Sequence, residues 1–233
     1  MFFLLGGYVW VWTLILLVPA LILGIYARAR VSSTFNRYSQ VRSVRGLTGA
    51  QGARLLLDSA GLQGVGISVE GGRLSDHYDP RSRTLTLSPD VGNSNSLAAL
   101  GVAAHESGHA LQHAAAYLPL RARTALAPVA SFGSNLGFFL FFIGFIFVRN
   151  PLMMNLGIVL FSAAVLFTLV TLPVEIDASR RALRQLSDHS ILVGSELDGA
   201  RAVLRAAALT YVAAALMAIL QLVRLVLISR SRQ

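Results

Sequence analysis

Two histidines, His105 and His109, lie four residues apart in an H-E-S-G-H stretch, inside residues 96–117, whose small and apolar side chains favour a helix. One helical turn brings both imidazoles onto one face, where both can bind a single zinc ion at about 2.0–2.1 Å. Glu106 then lies beside the ion, where a general base can take a proton from water. The pattern predicts a zinc hydrolase site with His105 and His109 as ligands and Glu106 as the base.

A third protein ligand is needed, because a catalytic zinc usually binds three side chains and one water. The chain has no cysteine, so this ligand is a histidine or a carboxylate. His113 is excluded, since it lies about 12 Å from His105 along a continuous helix. Glu175 is the best placed carboxylate. Two long apolar runs lie between His109 and Glu175, and if each crosses a membrane, the chain returns to the side that it left. Asp177 is the alternative ligand, or else an acceptor for the N–H of a ligand imidazole.

The composition is that of a membrane protein. Of the 233 residues, 55% are hydrophobic and 13% are charged, whereas soluble domains have about 25% charged residues. The net charge is +9, and every basic residue is an arginine. The arginines that flank apolar segments are interpreted as topology signals, so the expected partner is the lipid bilayer and not a nucleic acid.

Four apolar runs are long enough to cross the roughly 30 Å hydrocarbon layer as helices. They cover about residues 2–26, 125–148, 152–174 and 206–228. The short polar break at Arg149-Asn150-Pro151 makes the middle two a tight hairpin. Sixteen arginines lie in the two sections 27–123 and 175–205, against three in the sections on the other side. By the positive-inside rule, both arginine-rich sections face the cytoplasm and the N-terminus faces out.

The first polar section carries signals for a small α+β domain. Thr48 can cap a helix over about residues 49–60. Residues 66–70 and 83–88 alternate apolar and polar side chains, as half-buried strands do. Any of the polar residues 93–96 can cap the helix that carries the histidines. A small sheet is therefore expected just before the H-E-x-x-H helix.

Together these features predict a mainly α membrane protein with four transmembrane helices and a small α+β zincin-like cytoplasmic domain that carries the H-E-x-x-H helix. The expected parts are a transmembrane anchor (1–26), a cytoplasmic metallopeptidase domain (27–124), a transmembrane hairpin (125–174), a cytoplasmic helical segment with the third zinc ligand (175–205), and a transmembrane helix with a C-terminal tail (206–233).

Secondary roles are expected for several residues near the motif. A transition-state oxyanion needs a donor besides the metal, and the candidates are His77, Tyr78 and Arg180. An extended substrate could pair with strand 83–88 if that strand lies at a sheet edge. Gly108 is unusual inside a helix, where glycine costs about 1 kcal/mol relative to alanine, so it is expected to admit a neighbouring strand or helix.

Two other functions remain open. An intramembrane protease of the site-2 type takes its third ligand from an L-D-G motif, which Asp198 and its neighbours match. However, Ser195 is expected to cap a helix there, with Glu196 and Asp198 in its first turn. A non-catalytic membrane scaffold with a vestigial site would show no zinc, or zinc without turnover.

Four separate blocks of the chain resemble the YugP-type neutral zinc metallopeptidases of bacterial membranes. The blocks are Leu47–Ala50, Asp76–Arg81, Gly101–Ala110 and Leu172–Arg181. The resemblance implies a multi-pass protein of the bacterial inner membrane that binds one Zn²⁺ per chain. Its substrates would be membrane-associated or misfolded peptides and proteins, as in membrane-protein quality control.

The motif helix with a later glutamate is also similar to the HtpX and CAAX prenyl protease group. That resemblance implies that Glu175 is the zinc ligand. The group tends to place an aspartate four residues after this glutamate, where the chain has Ser179. Asp177 lies only two residues after Glu175, so the partner of the ligand imidazoles is left open.

Overall fold

A computed structural model of the chain describes residues 12–72 and 75–231. Within these residues, seven helices and three short strands follow one another. The helices are α1 (Val18–Ser39), α2 (Gly49–Ser59), α3 (Pro89–Gly92), α4 (Leu97–Ala114), α5 (Leu118–Ile143), α6 (Pro151–Asp188) and α7 (Ser195–Arg230), and the strands are β1 (Gly66–Val69), β2 (His77–Asp79) and β3 (Thr84–Leu87). A π-helical turn, Gly144–Val148, follows α5.

Four helical stretches are long and apolar enough to cross a membrane. They are Trp12–Ser39, Leu118–Val148, Pro151–Asp188 and Ser195–Arg230. Each continues beyond the apolar run that predicted it, because the flanking alanine, leucine and arginine residues are strong helix formers. The predicted fold class, mainly α with four long apolar helices and a small sheet, is confirmed.

The chain divides into two compact units. The first comprises the described residues up to Tyr26, the segment Arg121–Leu172, and the described residues from Thr210 onward. In this unit α5 and α6 cross closely, since a Cβ on Gly137 would lie 2.8 Å from the carbonyl oxygen of Gly157. Glycines at such a crossing allow the van der Waals contact that holds helices together in lipid.

The second unit comprises Ala27–Leu120 and Pro173–Leu209. Its sheet has the order β1-β3-β2, with β1 parallel to β3 and β2 antiparallel to it. The strand expected at 83–88 is therefore β3, in the centre of the sheet, with both of its edges paired. The condition for substrate pairing with this strand, an edge position, is therefore not met, because its backbone groups already bond to two neighbours.

The helix α4 runs through the centre of the second unit and is packed on two sides. On one side, Ala103 and Ala110 join a core cluster with Leu85 and Leu87 of β3. On another side, Leu100 and Ala104 join a second cluster with residues from the ends of α6 and α7, which include Leu186 and Leu204. Each fully buried leucine contributes about 1.5–3 kcal/mol. The helix that carries the histidines is thus fixed by the core of its unit.

The local signals in this unit were mostly correct. Thr48 forms a reciprocal capping box with Gln51 at the start of α2. Ser96 caps α4 by accepting from the N–H of Ala99. Strand β2 was missed, because Asp79-Pro80 indicated a turn. The strand has only three paired residues, and Asp79 is the last of them. A strand this short is specified by its neighbour and not by its own pattern.

Candidate metal centre

His105 and His109 lie one turn apart on α4 with their rings in contact. The ring centroids are 4.8 Å apart and the ring planes meet at 80°. Both side chains are nearly buried, at 13% and 11% exposure. Both histidines lie within one packed helix, so their Cα positions are fixed. The two imidazoles therefore lie on one face without the ordering of a loop.

Glu175 reaches the two imidazoles from α6 and is only 2% exposed. Its Oε2 atom lies 3.2 Å from His105 Nε2 and 3.6 Å from His109 Nε2. Ligand atoms at about 2.0–2.1 Å from a tetrahedral zinc are separated by roughly 3.3 Å. The three side chains offer ligand atoms that all lie within 4.8 Å of one another. The donor set of two imidazoles and one carboxylate therefore fits a zinc site.

The electrostatics of the cluster favour a cation. Burial is the largest influence on the pKa of His109 and would lower it, but the hydrogen bond to Glu175 and the nearby charge of Glu106 outweigh it, so the pKa is raised. The negative charge that stabilises an imidazolium in this position equally stabilises a bound metal ion. Glu106 itself is half-buried beside the cluster.

The residues between the two histidines allow α4 to approach α6 closely. Ser107 is buried and satisfies its hydroxyl by donating to the carbonyl oxygen of Ala103. A Cβ on Gly108 would lie 2.6 Å from the carbonyl oxygen of Ala178. The expectation that Gly108 admits a neighbouring element is confirmed, and that element is the part of α6 that carries Glu175.

Gln112 is a residue of the site that sequence reasoning missed. Its side chain is fully buried, and its Oε1 lies 3.0 Å from His109 Nδ1. Its amide nitrogen donates to the carbonyl oxygen of Val174 at 2.8 Å and to Asp177 Oδ2 at 2.9 Å. The available signal was its position three residues after His109, which places it on the same helix face.

Asp177 lies in contact with Gln112 and not within the cluster. Its Oδ2 also accepts from Arg181 Nε at 2.6 Å. Two residues along a helix correspond to about 200°, so Asp177 and Glu175 point to different sides of α6. Among the two roles considered for Asp177, its contacts match an indirect one, in which it acts on His109 through Gln112.

Ser179 provides the partner for the other imidazole. Its hydroxyl lies 3.0 Å from His105 Nδ1. At this position, four residues after Glu175, the HtpX and CAAX prenyl protease group tends to have an aspartate, so the sequence alone predicted no role for the serine. In the folded chain the serine lies one turn beyond Glu175 on the same face of α6, so it can contact the same histidine that Glu175 contacts.

The three candidate transition-state stabilisers have partners of their own or are exposed. The ring of His77 is exposed on β2, and its Nδ1 lies 2.7 Å from the carbonyl oxygen of Ser75. The hydroxyl of Tyr78 lies 2.9 Å from His113 Nδ1, and burial raises the pKa of this tyrosine. Arg180 is exposed on α6. Their roles in stabilising an oxyanion stay predictions.

Asp198, the ligand of the site-2 alternative, is placed elsewhere. It lies in the first turn of α7, which begins at Ser195. Its side chain is 68% exposed and forms an ion pair with Arg201. Its place in the first turn matches the helix-start interpretation in one respect, because an acidic residue there interacts favourably with the helix dipole.

The fold and the site agree with what the chain is similar to. The family model described as "Putative neutral zinc metallopeptidase" matches residues 13–230. The chain therefore belongs to this family of zinc metallopeptidases. It is 44% identical over 213 residues to the "Putative membrane protease YugP" of Bacillus subtilis (strain 168), which covers 91% of this chain and 94% of that protein. No solved structure matches the chain.

Proposed function

We propose that the protein is a membrane-bound zinc endopeptidase that binds one Zn²⁺ per chain through His105, His109 and Glu175. The observation that carries the proposal is the convergence of His105 Nε2 and His109 Nε2 on Glu175 Oε2, at 3.2 and 3.6 Å. Two helices far apart in sequence contribute to this cluster. Three potential ligands leave one tetrahedral position for water, which is the arrangement of a catalytic site.

In this mechanism Glu106 is the general base. A bound zinc ion would acidify a water molecule and polarise the peptide carbonyl. Glu106, which directly follows His105 in the sequence, takes the proton of the attacking water and later delivers it to the leaving nitrogen. Its half-buried position keeps it accessible to a substrate, and its negative charge acts on His109.

Replacing Glu175 with alanine is expected to remove zinc from the purified protein. Loss of residues that only orient ligands costs 10–100-fold in metal affinity, so loss of a ligand is expected to cost at least about 100-fold. Zinc content after dialysis and affinity by competition with a chelator measure the effect. The detergent-purified full chain is used, and its helix content is compared with that of the wild type by circular dichroism.

Asp198→Ala is the matched control, because it removes the carboxylate of the site-2 alternative. It is expected to keep stoichiometric zinc and to cleave an unfolded model substrate at the wild-type rate. Zinc retained by Glu175→Ala and lost by Asp198→Ala would overturn the assigned ligand set. Stoichiometric zinc in the wild type with no cleavage of any unfolded substrate would favour the scaffold alternative.

We further propose that the protein spans the inner membrane of a bacterium with residues 27–124 and 175–205 on the cytoplasmic side. The arginine distribution supports this orientation, since both sections are rich in arginine. The site would then act on membrane-associated or misfolded proteins that reach the cytoplasmic face. A nucleic-acid partner is not expected, because the arginines flank apolar runs as topology signals do.

The orientation can be tested with single cysteines, because the chain has none of its own. Val44 is 92% exposed in the first arginine-rich section, so Val44→Cys provides a reactive thiol there. In intact cells a membrane-impermeant maleimide is expected to label a cysteine added after Gln233 and not Val44→Cys. Labelling of Val44→Cys should require permeabilised cells. The reverse pattern would invert the proposed topology.

A further inference from the structure

Gln112 forms three side-chain hydrogen bonds between the two helices that provide the candidate ligands. The side chain is fully buried between α4 and α6. It contacts His109 Nδ1 on its own helix, and the carbonyl oxygen of Val174 and Asp177 Oδ2 on the other. A buried primary amide that meets three partners at 2.8–3.0 Å favours this one arrangement of the two helices, because a buried polar group left without a partner is strongly unfavourable.

The partners on α6 fix which way this amide points. The carbonyl oxygen of Val174 can only accept a hydrogen bond. Asp177 is paired with Arg181 and accepts as a carboxylate. The NH₂ group of Gln112 must therefore face these two acceptors, which leaves its Oε1 facing His109. Since Oε1 can only accept, His109 Nδ1 must carry the proton.

We infer that Gln112 is a positioning residue that holds His109 in the Nδ1–H tautomer and keeps Nε2 free to bind the metal. The inference rests on the proposed function, because it assigns Gln112 a task at the same metal centre. Nε2 is the atom that lies 3.6 Å from Glu175 Oε2, so the lone pair is directed to the cluster. Outer hydrogen bonds of this kind set the tautomer and the ring orientation of metal-binding histidines.

The two ligand histidines thus have neutral partners. Ser179 contacts Nδ1 of His105, and the amide of Gln112 separates Asp177 from His109. The carboxylate acts one hydrogen bond away, by orienting the amide, and Arg181 balances its charge. A neutral acceptor raises the basicity of the imidazole less than a directly bonded carboxylate does, since the hydrogen bond is not assisted by charge.

The tautomer can be measured without metal and without activity. Full-length protein labelled with ¹⁵N-histidine is purified in detergent, stripped of metal and examined by NMR at pH 9, with His109 assigned by loss of its signals in His109→Gln. Wild type is expected to show the proton on Nδ1. Gln112→Met, which removes all three hydrogen bonds at similar volume, is expected to lose this preference. Gln112→Glu keeps an oxygen acceptor for His109 but loses both donors to α6, so it is expected to keep the proton on Nδ1 and to weaken only the contact with α6.

Zinc affinity is the second readout. Gln112→Met is expected to weaken zinc binding by about 10–100-fold, and Gln112→Glu by less. The matched control is Gln185→Met, which removes a glutamine amide about 15 Å further along α6 from Glu175. It is expected to keep the wild-type affinity. If Gln185→Met weakens zinc as much as Gln112→Met, the effect is one of general packing and the inference fails.

The outcomes separate this inference from the proposed function. A proton on His109 Nε2 in the metal-free wild type overturns the inference, whatever the enzyme cleaves and even if Gln112→Met does not fold. The Nδ1–H tautomer in a wild type that binds no zinc would overturn the proposed metal centre and leave the hydrogen-bond assignment standing. Wild-type zinc affinity in a folded Gln112→Met would also overturn the inference.

Discussion

Glu106→Gln is expected to bind zinc as the wild type does and to lose at least about 10²–10⁴-fold in turnover. The substitution keeps the size of the side chain but removes its ability to take a proton, which is the contribution of a general base. The candidate ligand atoms belong to His105, His109 and Glu175 and not to Glu106, so the metal should stay bound. Zinc content and cleavage of an unfolded protein by the detergent-purified variant measure both effects.

The control for this change is Glu70→Gln, which removes the charge of an exposed carboxylate just after β1 in the same compact unit. It is expected to keep both zinc and turnover. Full activity in Glu106→Gln would refute the assigned base. Loss of zinc together with turnover would show instead that Glu106 supports the metal centre, through the negative charge that it places beside His109.

The sequence was sufficient for the parts of the site that follow from local geometry. His105 and His109 converge because four residues of any α-helix lie on one face. Glu175 could be predicted as the third candidate ligand from the two long apolar runs that precede it, because two membrane crossings would return the chain to the side of the histidines. Its contact with both histidines then places one carboxylate where the chain topology had predicted it.

The hydrogen-bond partners of the candidate ligands could not be predicted in the same way. Gln112 and Ser179 acquire their roles from the rotation of α6 against α4, and neither helix specifies that rotation alone. The order of the sheet is likewise tertiary, so β3 was expected as a possible edge and is the central strand. Helix ends were also misplaced, because α6 continues through Pro173 and Glu175 without a break.

Gly108→Ala is expected to weaken zinc binding and reduce turnover by about 100-fold while the helices remain formed. Alanine is the better helix former by about 1 kcal/mol, so the change would stabilise an isolated α4. In the folded chain its Cβ would lie 2.6 Å from the carbonyl oxygen of Ala178, a backbone atom that no side-chain rotation can move. Such overpacking costs about 1–3 kcal/mol and exceeds the gain in helix propensity.

If the added methyl group pushes α4 and α6 apart, Glu175 moves away from the histidines, because Ala178 lies one turn after Glu175 on the same helix. A misplacement of about 1 Å can cost 10²-fold in rate. Gly24→Ala is the matched control, since Gly24 lies inside α1 and a Cβ there would have no atom within 4 Å. It should leave zinc affinity and turnover unchanged. Wild-type zinc affinity in Gly108→Ala would mean that the two helices can move apart without displacing Glu175 from the histidines.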